Sequence, residues 1–413
     1  MRKVFLIFFV MVQIFTMASL LKYVPDNFVT LSYVPDIGKL YNDIKSTEIG
    51  DSFLNNLGLE SMIDSLIRSQ AQAYEIDADK LYEVKEVLNV AGKNWMAFII
   101  GPFEEADKIK DYIENTGILP DSTDVQVYVE KLDNNLVFYT RKGNVDVISI
   151  LKKEENNVPI WVKNTLKDSK VDMVYYSAEK GVFESYFKVY LKENVLVEEG
   201  IGKYFDEDVK EKLENILQGK KFSLDDVVNG EGFLLVNVKD GKSILDLLQV
   251  LGILDLLKEE GLDVSIAEKF GGKVFVGADY SEAIEDMLYS NEESTPPILT
   301  GYVTFNGDPK LILEDKIKNC KKEKDYYLCG DMDIAKVSFK SNKVEFNFPS
   351  DLTTTSDINK KVFQKVYKGI ENIMVYLDFS EVLNNLFGLD TNSYLMFKVW
   401  TEKGEMKSHG ELR

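Results

Sequence analysis

The sequence predicts an α+β protein of two related modules, each a mainly antiparallel sheet with helices packed on one face, preceded by an N-terminal signal helix. Three observations lead there. Apolar residues recur with period 2 and period 3.6 in alternation along the whole chain, which marks strands interleaved with helices. Turn residues such as Lys192-Glu193-Asn194, Ser341-Asn342 and Glu402-Lys403-Gly404 join strand-like runs into hairpins, and hairpins pair antiparallel. A unit of apolar strand, acidic turn residue and apolar helix ending near Leu-Gly-Leu recurs three times.

The first element is an export segment. Arg2 and Lys3 precede residues 4–21, a run of 18 without charge, and Thr16-Met17-Ala18 sets small residues for cleavage between Ala18 and Ser19. Residues 1–18 are expected to be a signal peptide. The alternative is an uncleaved anchor reaching residue 21, just short of the ~20 residues a membrane span prefers. No cysteine follows the run, which excludes a lipid-modified N-terminus. The basic start stays in the cytoplasm in both cases. The body is therefore expected outside it: periplasmic, envelope-associated or secreted, touching membrane only through this segment if uncleaved.

The first module spans 19–219. Its strands are expected at 28–34, 95–100, 125–130, 136–141, 171–177 and 187–191, and its helices at 37–68, 79–90, 103–115 and 206–218. Asp206, Glu207 and Asp208 open the last helix with charge that complements its dipole, and Gly219 closes it, which sets the module boundary. The second module, 220–413, carries strands at 233–238, 274–278, 301–305, 337–339 and 344–348. Its helices are expected at 242–260, 281–288, 309–319, 357–369 and 379–387.

The repeated unit appears as FVTLSYVPD (28–36) with NNLGLE (55–60), as FLLVNVKD (233–240) with QVLGIL (249–254), and as IMVYLDFS (373–380) with NNLFGLD (384–390). A strand–helix pair follows the first two copies, at 95–113 and 273–288, so the layout points to duplication of one module. Pro25-Asp26 before the apolar strand 28–34, and Gly271-Gly272 before the strand 273–278, resemble a family of uncharacterised bacterial extracytoplasmic proteins. The likeness covers most of residues 23–350. It implies an envelope or secreted protein and transfers no catalytic residue.

Composition narrows the chemistry. A net charge of −20 over 413 residues repels phosphate backbones and anionic headgroups, so no nucleic acid partner is expected. The single histidine, His409, is expected on a frayed final strand, and its isolation removes His-based relays and HExxH zinc sites. Two cysteines are too few for Cys₄ or Cys₂His₂ zinc. Cys320 and Cys329 bracket a charged turn, and an oxidising compartment favours a disulfide between them over two unpaired thiols; either state is structural.

The remaining motifs are weak. Gly241-Lys242-Ser243 opens a helix after a strand but lacks the earlier glycine of a phosphate loop, Val236 standing there. Asp331 and Asp333 lack calcium-loop spacing. Glu104, Glu105 and Asp107, and Glu282, Glu285 and Asp286, sit at helix starts, where carboxylates offset the dipole. The run 243–257 is the most apolar segment of the body. Burial in the core is its ordinary fate, and a groove formed by Leu247, Leu248, Leu251 and Leu254 is the functional alternative. No cofactor, metal or catalytic residue is nominated. The expected function is a non-enzymatic binding or structural component of the cell envelope or exterior, engaging a protein, a polymer or an apolar ligand. The alternative is an extracytoplasmic carboxylate-dependent hydrolase.

Overall fold

The computed structural model describes residues 19–73, 75–116, 126–153, 157–216, 218–250, 253–254, 258, 264–289, 295–330 and 334–413. They form a mixed α and β structure with a large antiparallel sheet. The chain divides into two compact units, Met1–Lys180 with Glu184–Glu198 and Gly181–Phe183 with Glu199–Arg413.

In the first unit β1 (Thr30–Val34), β2 (Glu86–Gly92), β3 (Trp95–Gly101), β4 (Tyr128–Leu132), β5 (Asn135–Arg141) and β6 (Val171–Glu179) pair in the order β6-β1-β2-β3-β5-β4. Every pairing is antiparallel. Period 2 places Trp95, Ala97 and Ile99 of β3 in the core while Met96 and Phe98 stay exposed. That core also takes Leu31, Leu88 and Val137, and it is closed by Val147 and Leu151 of one short helix and Val162 of another. Leu136, one residue from Val137, faces the other way, onto Ala106 and Ile109 of the helix Ala106–Thr116. β5 is thus buried on both sides, and helices cover both faces of this sheet, not the one face expected.

The packed body starts at its first described residue. Ser19 caps the turn Leu20–Tyr23 by accepting from the Leu21 amide. Leu20, Tyr23 and Val24 are 2%, 1% and 0% exposed within the first core. Ala18 and the rest of the export segment lie outside the described residues. The uncharged run is therefore split, and Leu20 belongs to the protein interior.

The strands β7 (Phe183–Lys192) and β8 (Val195–Tyr204) carry the chain from the first unit into the second. There β9 (Gly232–Asn237), β10 (Phe270–Asp279), β11 (Ile298–Phe305), β12 (Lys321–Lys322), β13 (Tyr327–Cys329), β14 (Ala335–Lys340), β15 (Lys343–Phe348), β16 (Ile373–Asp378), β17 (Tyr394–Glu402) and β18 (Glu405–Leu412) follow. Their order is β18-β17-β16-β9-β10-β11-β15-β14-β13-β12, again antiparallel at every step. Phe233 stacks on Phe275 and Tyr376 at ring separations of 5.4 and 5.7 Å, with Phe363 beside them. Six strands of this unit, β16-β9-β10-β11-β15-β14, run in the same order as β6-β1-β2-β3-β5-β4.

The acid of each repeated unit accepts from a backbone amide in the first turn of the helix after its strand. Asp36 accepts from the Lys39 amide at 2.9 Å to start α1 (Ile37–Lys45). Asp240 accepts from Ser243 at 3.0 Å to start α2 (Gly241–Val250). Asp378 accepts from Ser380 at 2.9 Å to start α3 (Ser380–Phe387). Gly58 and Gly388 both take φ of +68°, left-handed backbone that an L side chain resists.

Four further expectations change. The helix expected over 79–90 is a short turn, Ala78–Leu81, followed by β2, because ladder pairing on both sides buries Leu88 and Val90 and overrides local propensity. The helix over 37–68 breaks after Lys45, where Ser46 and Thr47 turn hydroxyls back onto the backbone. Only Pro309–Ile312 is helical within 309–319. His409 sits inside the β17–β18 ladder opposite Lys398 and bonds Glu411 at 2.8 Å, so the final strand is tied rather than frayed. Cys320 and Cys329 are joined by a disulfide, with sulfurs 2.09 Å apart.

Candidate functional site

One concavity lies within the first unit. The break after α1 and the left-handed Gly58 aim the helix Leu59–Ala73 so that Ala71 is its one buried side chain. Its apolar stripe at spacing 3 and 4 is left open: Met62, Ile63 and Leu66 are 62%, 46% and 61% exposed. Ile37, Tyr41, Leu54, Ile63, Leu81 and Tyr82 line a groove of about 660 Å³ beside this stripe.

The groove has a polar rim whose charges are internally satisfied. Glu60 pairs with Lys45 at 2.5 Å. Asp64 accepts from the Tyr82 hydroxyl at 2.8 Å and from Arg68 at 3.0 Å. Loss of hydration, then the hydrogen bond to Glu60, pushes the Tyr41 hydroxyl up to about 12. Both rim tyrosines therefore stay neutral at physiological pH, each presenting an aromatic body with its hydroxyl tethered. This surface offers apolar contact area on pre-positioned side chains, with Glu60, Ser61 and Asp64 among its polar lining.

A second concavity, about 430 Å³, lies in the second unit and is lined by Glu231, Asp279, Glu282, Glu285 and Glu381 without a lysine or arginine. Most of its order is structural. Glu231, 6% exposed, accepts from the amides of Tyr280 and Ser281 at 2.8 and 2.9 Å and so caps the helix Ser281–Tyr289 from outside it. Asp279 holds the Glu231 amide at 3.1 Å and the Thr355 amide at 2.7 Å. Lost hydration, then the charges of Glu231, Asp279 and Asp378, lift the carboxyl of the exposed Glu381 above the usual range. Among the described residues, no group of three or more His, Cys, Asp or Glu side chains is arranged to hold a metal ion.

A third, about 340 Å³, lies over β11, β14 and β15. Tyr302, 4% exposed, lines it with its hydroxyl buried near Asp226, and the Lys343 ammonium stands 4.0 Å over its ring.

The side chains singled out from sequence fall elsewhere. Leu247 and Leu254 are 1% and 7% exposed, and Leu248 packs with Leu213, Ile216, Val238 and Ile244, so α2 spends its apolar face on the core. Leu251, like Asp331 and Asp333, lies outside the described residues. Ser243 of the Gly-Lys-Ser turn is 2% exposed and donates to the Asn215 carbonyl, a helix start with no room for phosphate. Glu105 pairs with Lys108 and Asp286 accepts from Thr295, local roles both. Sequence reasoning missed the groove residues. Their signal was present in the stripe Leu59, Met62, Ile63, Leu66 and Ile67, but 243–257 was more apolar and drew the choice. No protein-family model, no curated protein and no solved structure matches the chain.

Proposed function

We propose that the chain is an exported, non-enzymatic binding protein of the cell envelope or exterior, and that the groove beside the helix Leu59–Ala73 receives an apolar helical segment of a partner protein. The carrying observation is that open stripe with three large aliphatic side chains in solvent, next to Tyr41 and Tyr82. Scattered apolar residues are ordinary on a surface, whereas a contiguous patch flanking a preformed groove matches helix-in-groove recognition. A net charge of −20 favours a partner with basic flanks by steering its approach. The cystine and the run 4–18 support an oxidising, extracytoplasmic site of action. Shared strand order and shared aspartate caps support two modules related by duplication.

Fluorescence anisotropy with two amphipathic peptides of equal length, one of Leu and Lys, the other of Leu and Glu, tests the groove. The Leu/Lys peptide is expected to bind, and the double variant Ile63→Asp, Leu66→Asp to weaken it about tenfold or more. The melting temperature should stay put, since both side chains are exposed. Equal binding to wild type and variant, or binding of neither peptide, overturns the assignment.

A carboxylate-dependent hydrolase is the alternative, supported by the raised carboxyl of Glu381 in an acid-lined pocket. It requires reducing ends released from a polysaccharide by the purified protein, with loss of about 10²-fold or more in Glu381→Gln. No release, or release unchanged in the variant, removes it.

A further inference from the structure

Glu86 opens β2 as a half-buried carboxylate with an unusual set of neighbours. Its Oε2 accepts from the Leu20 amide at 2.7 Å, the Tyr33 hydroxyl at 2.8 Å and the Ser19 hydroxyl at 3.2 Å. The Ser19 and Tyr33 hydroxyls also lie 2.9 Å apart. Among the described residues no lysine or arginine pairs with Glu86. The fold therefore gathers a negative charge and three neutral donors around the residue that cleavage after Ala18 would make the first of the mature chain.

Consecutive amide nitrogens are roughly 3–4 Å apart, so the Ser19 nitrogen lies within about 7 Å of Oε2. We propose that maturation between Ala18 and Ser19 frees an α-ammonium that docks on Glu86, and that this ion pair fixes the N-terminus of the mature protein. Peptide hydrolysis by water at that bond leaves the carboxylate on Ala18 and the amine on Ser19; protonated below its pKa, the amine supplies the cation that no described lysine or arginine gives Glu86. The site of cutting is bounded from the other side. Leu20, Tyr23 and Val24 fill the core, so a later cut would strip buried side chains from it. Keeping Leu20 in the protein also leaves residues 4–18 as the uncharged run, at most about 22 Å if helical, against a hydrocarbon layer of about 30 Å. A cleaved signal fits that length better than a permanent anchor.

The proposal rests on the export reading but not on the groove. Two mature chains separate the questions: one beginning at Ser19, the other with two glycines before it, which move the ammonium away and restore a peptide bond. At pH 7 the Ser19 chain is expected to melt about 2–4 °C higher, and Glu86→Gln to abolish the difference. A paired α-amine titrates above its ordinary range near 8, so the advantage is full below that and disappears as pH rises through the raised value. Labelling of the α-amine by an acylating reagent across pH, read by mass spectrometry, should show that higher value in the Ser19 chain and its loss in Glu86→Gln. Equal melting of the two chains, or an amine that titrates identically with and without Glu86, overturns the ion pair. N-terminal sequencing of the exported protein reads the cut by itself: Ser19 at position one supports the maturation step, and any other start overturns it.

Discussion

Asp246 lies on α2 at 8% exposure, and its Oδ2 has no hydrogen-bond partner. Burial raises its carboxyl above the usual range, the charges of Lys242 and Lys212 only partly opposing it. The folded chain then holds that proton more tightly than the unfolded chain. Ionisation therefore penalises folding once pH passes the ordinary aspartate value of about 3.9, and the penalty is complete above the raised one. Asp246→Asn should raise the melting temperature by about 2–4 °C at pH 8, with the gain shrinking toward pH 4, as calorimetry across that range would record. A loss at pH 8 would mean the carboxylate has a favourable partner in solution. Glu371 is a buried acid with a full set of donors. At 1% exposure it collects the amides of Lys368, Gly369 and Ile370 at 2.8 to 3.1 Å, with the Lys398 ammonium 3.8 Å away. The difference is partly local: a turn at Gly369, φ +79°, brings the three preceding amides onto Glu371, whereas Asp246 sits in mid-helix facing the core.

Helix ends were the most readable elements. Asp36, Asp240 and Asp378 stand out as acids placed at strand ends, and each accepts a first-turn amide, though the cap position of α3 itself is Phe379. Gly388 closes α3 at φ of +68°, and a Cβ there would meet nothing within 4 Å. Its requirement is thus conformational and not steric. Gly388→Val should cost about 1–2 kcal/mol in urea unfolding and Gly388→Asn distinctly less, since asparagine tolerates left-handed backbone. Equal costs would point to a packing role for the glycine instead. β2 was illegible for a different reason. Its sequence, EVLNVAG, follows helix-favouring residues, and only the flanking strands β1 and β3 select the extended form.

At the scale of the molecule, alternating periods sufficed to read a mixed fold with antiparallel pairing. Strand order was not readable, because β3 meets β5 and β11 meets β15 across long stretches of chain, and no local residue encodes such a partner. The same limit hid the groove. Amphipathicity announces that a helix has an apolar face, but the neighbour that covers it comes from elsewhere. For α2 that neighbour includes Leu213 and Ile216, whereas for the helix Leu59–Ala73 the exposed stripe is what remains. The similarity of the six-strand orders also went beyond what the short repeats in sequence could establish.

The cystine has a bearing on solubility that its position makes plain. β14 would be an unprotected border of its sheet were it not for β13, a strand of three residues backed by β12 with only Lys321 and Lys322. So short a cover holds few hydrogen bonds of its own, and the Cys320–Cys329 bridge closes it on itself, joining the residue before β12 to the last residue of β13. With the bridge reduced, β12 is expected to part from β13 and leave three residues to cover the N–H and C=O groups of β14, so light scattering should rise under reductant at temperatures below the unfolding transition.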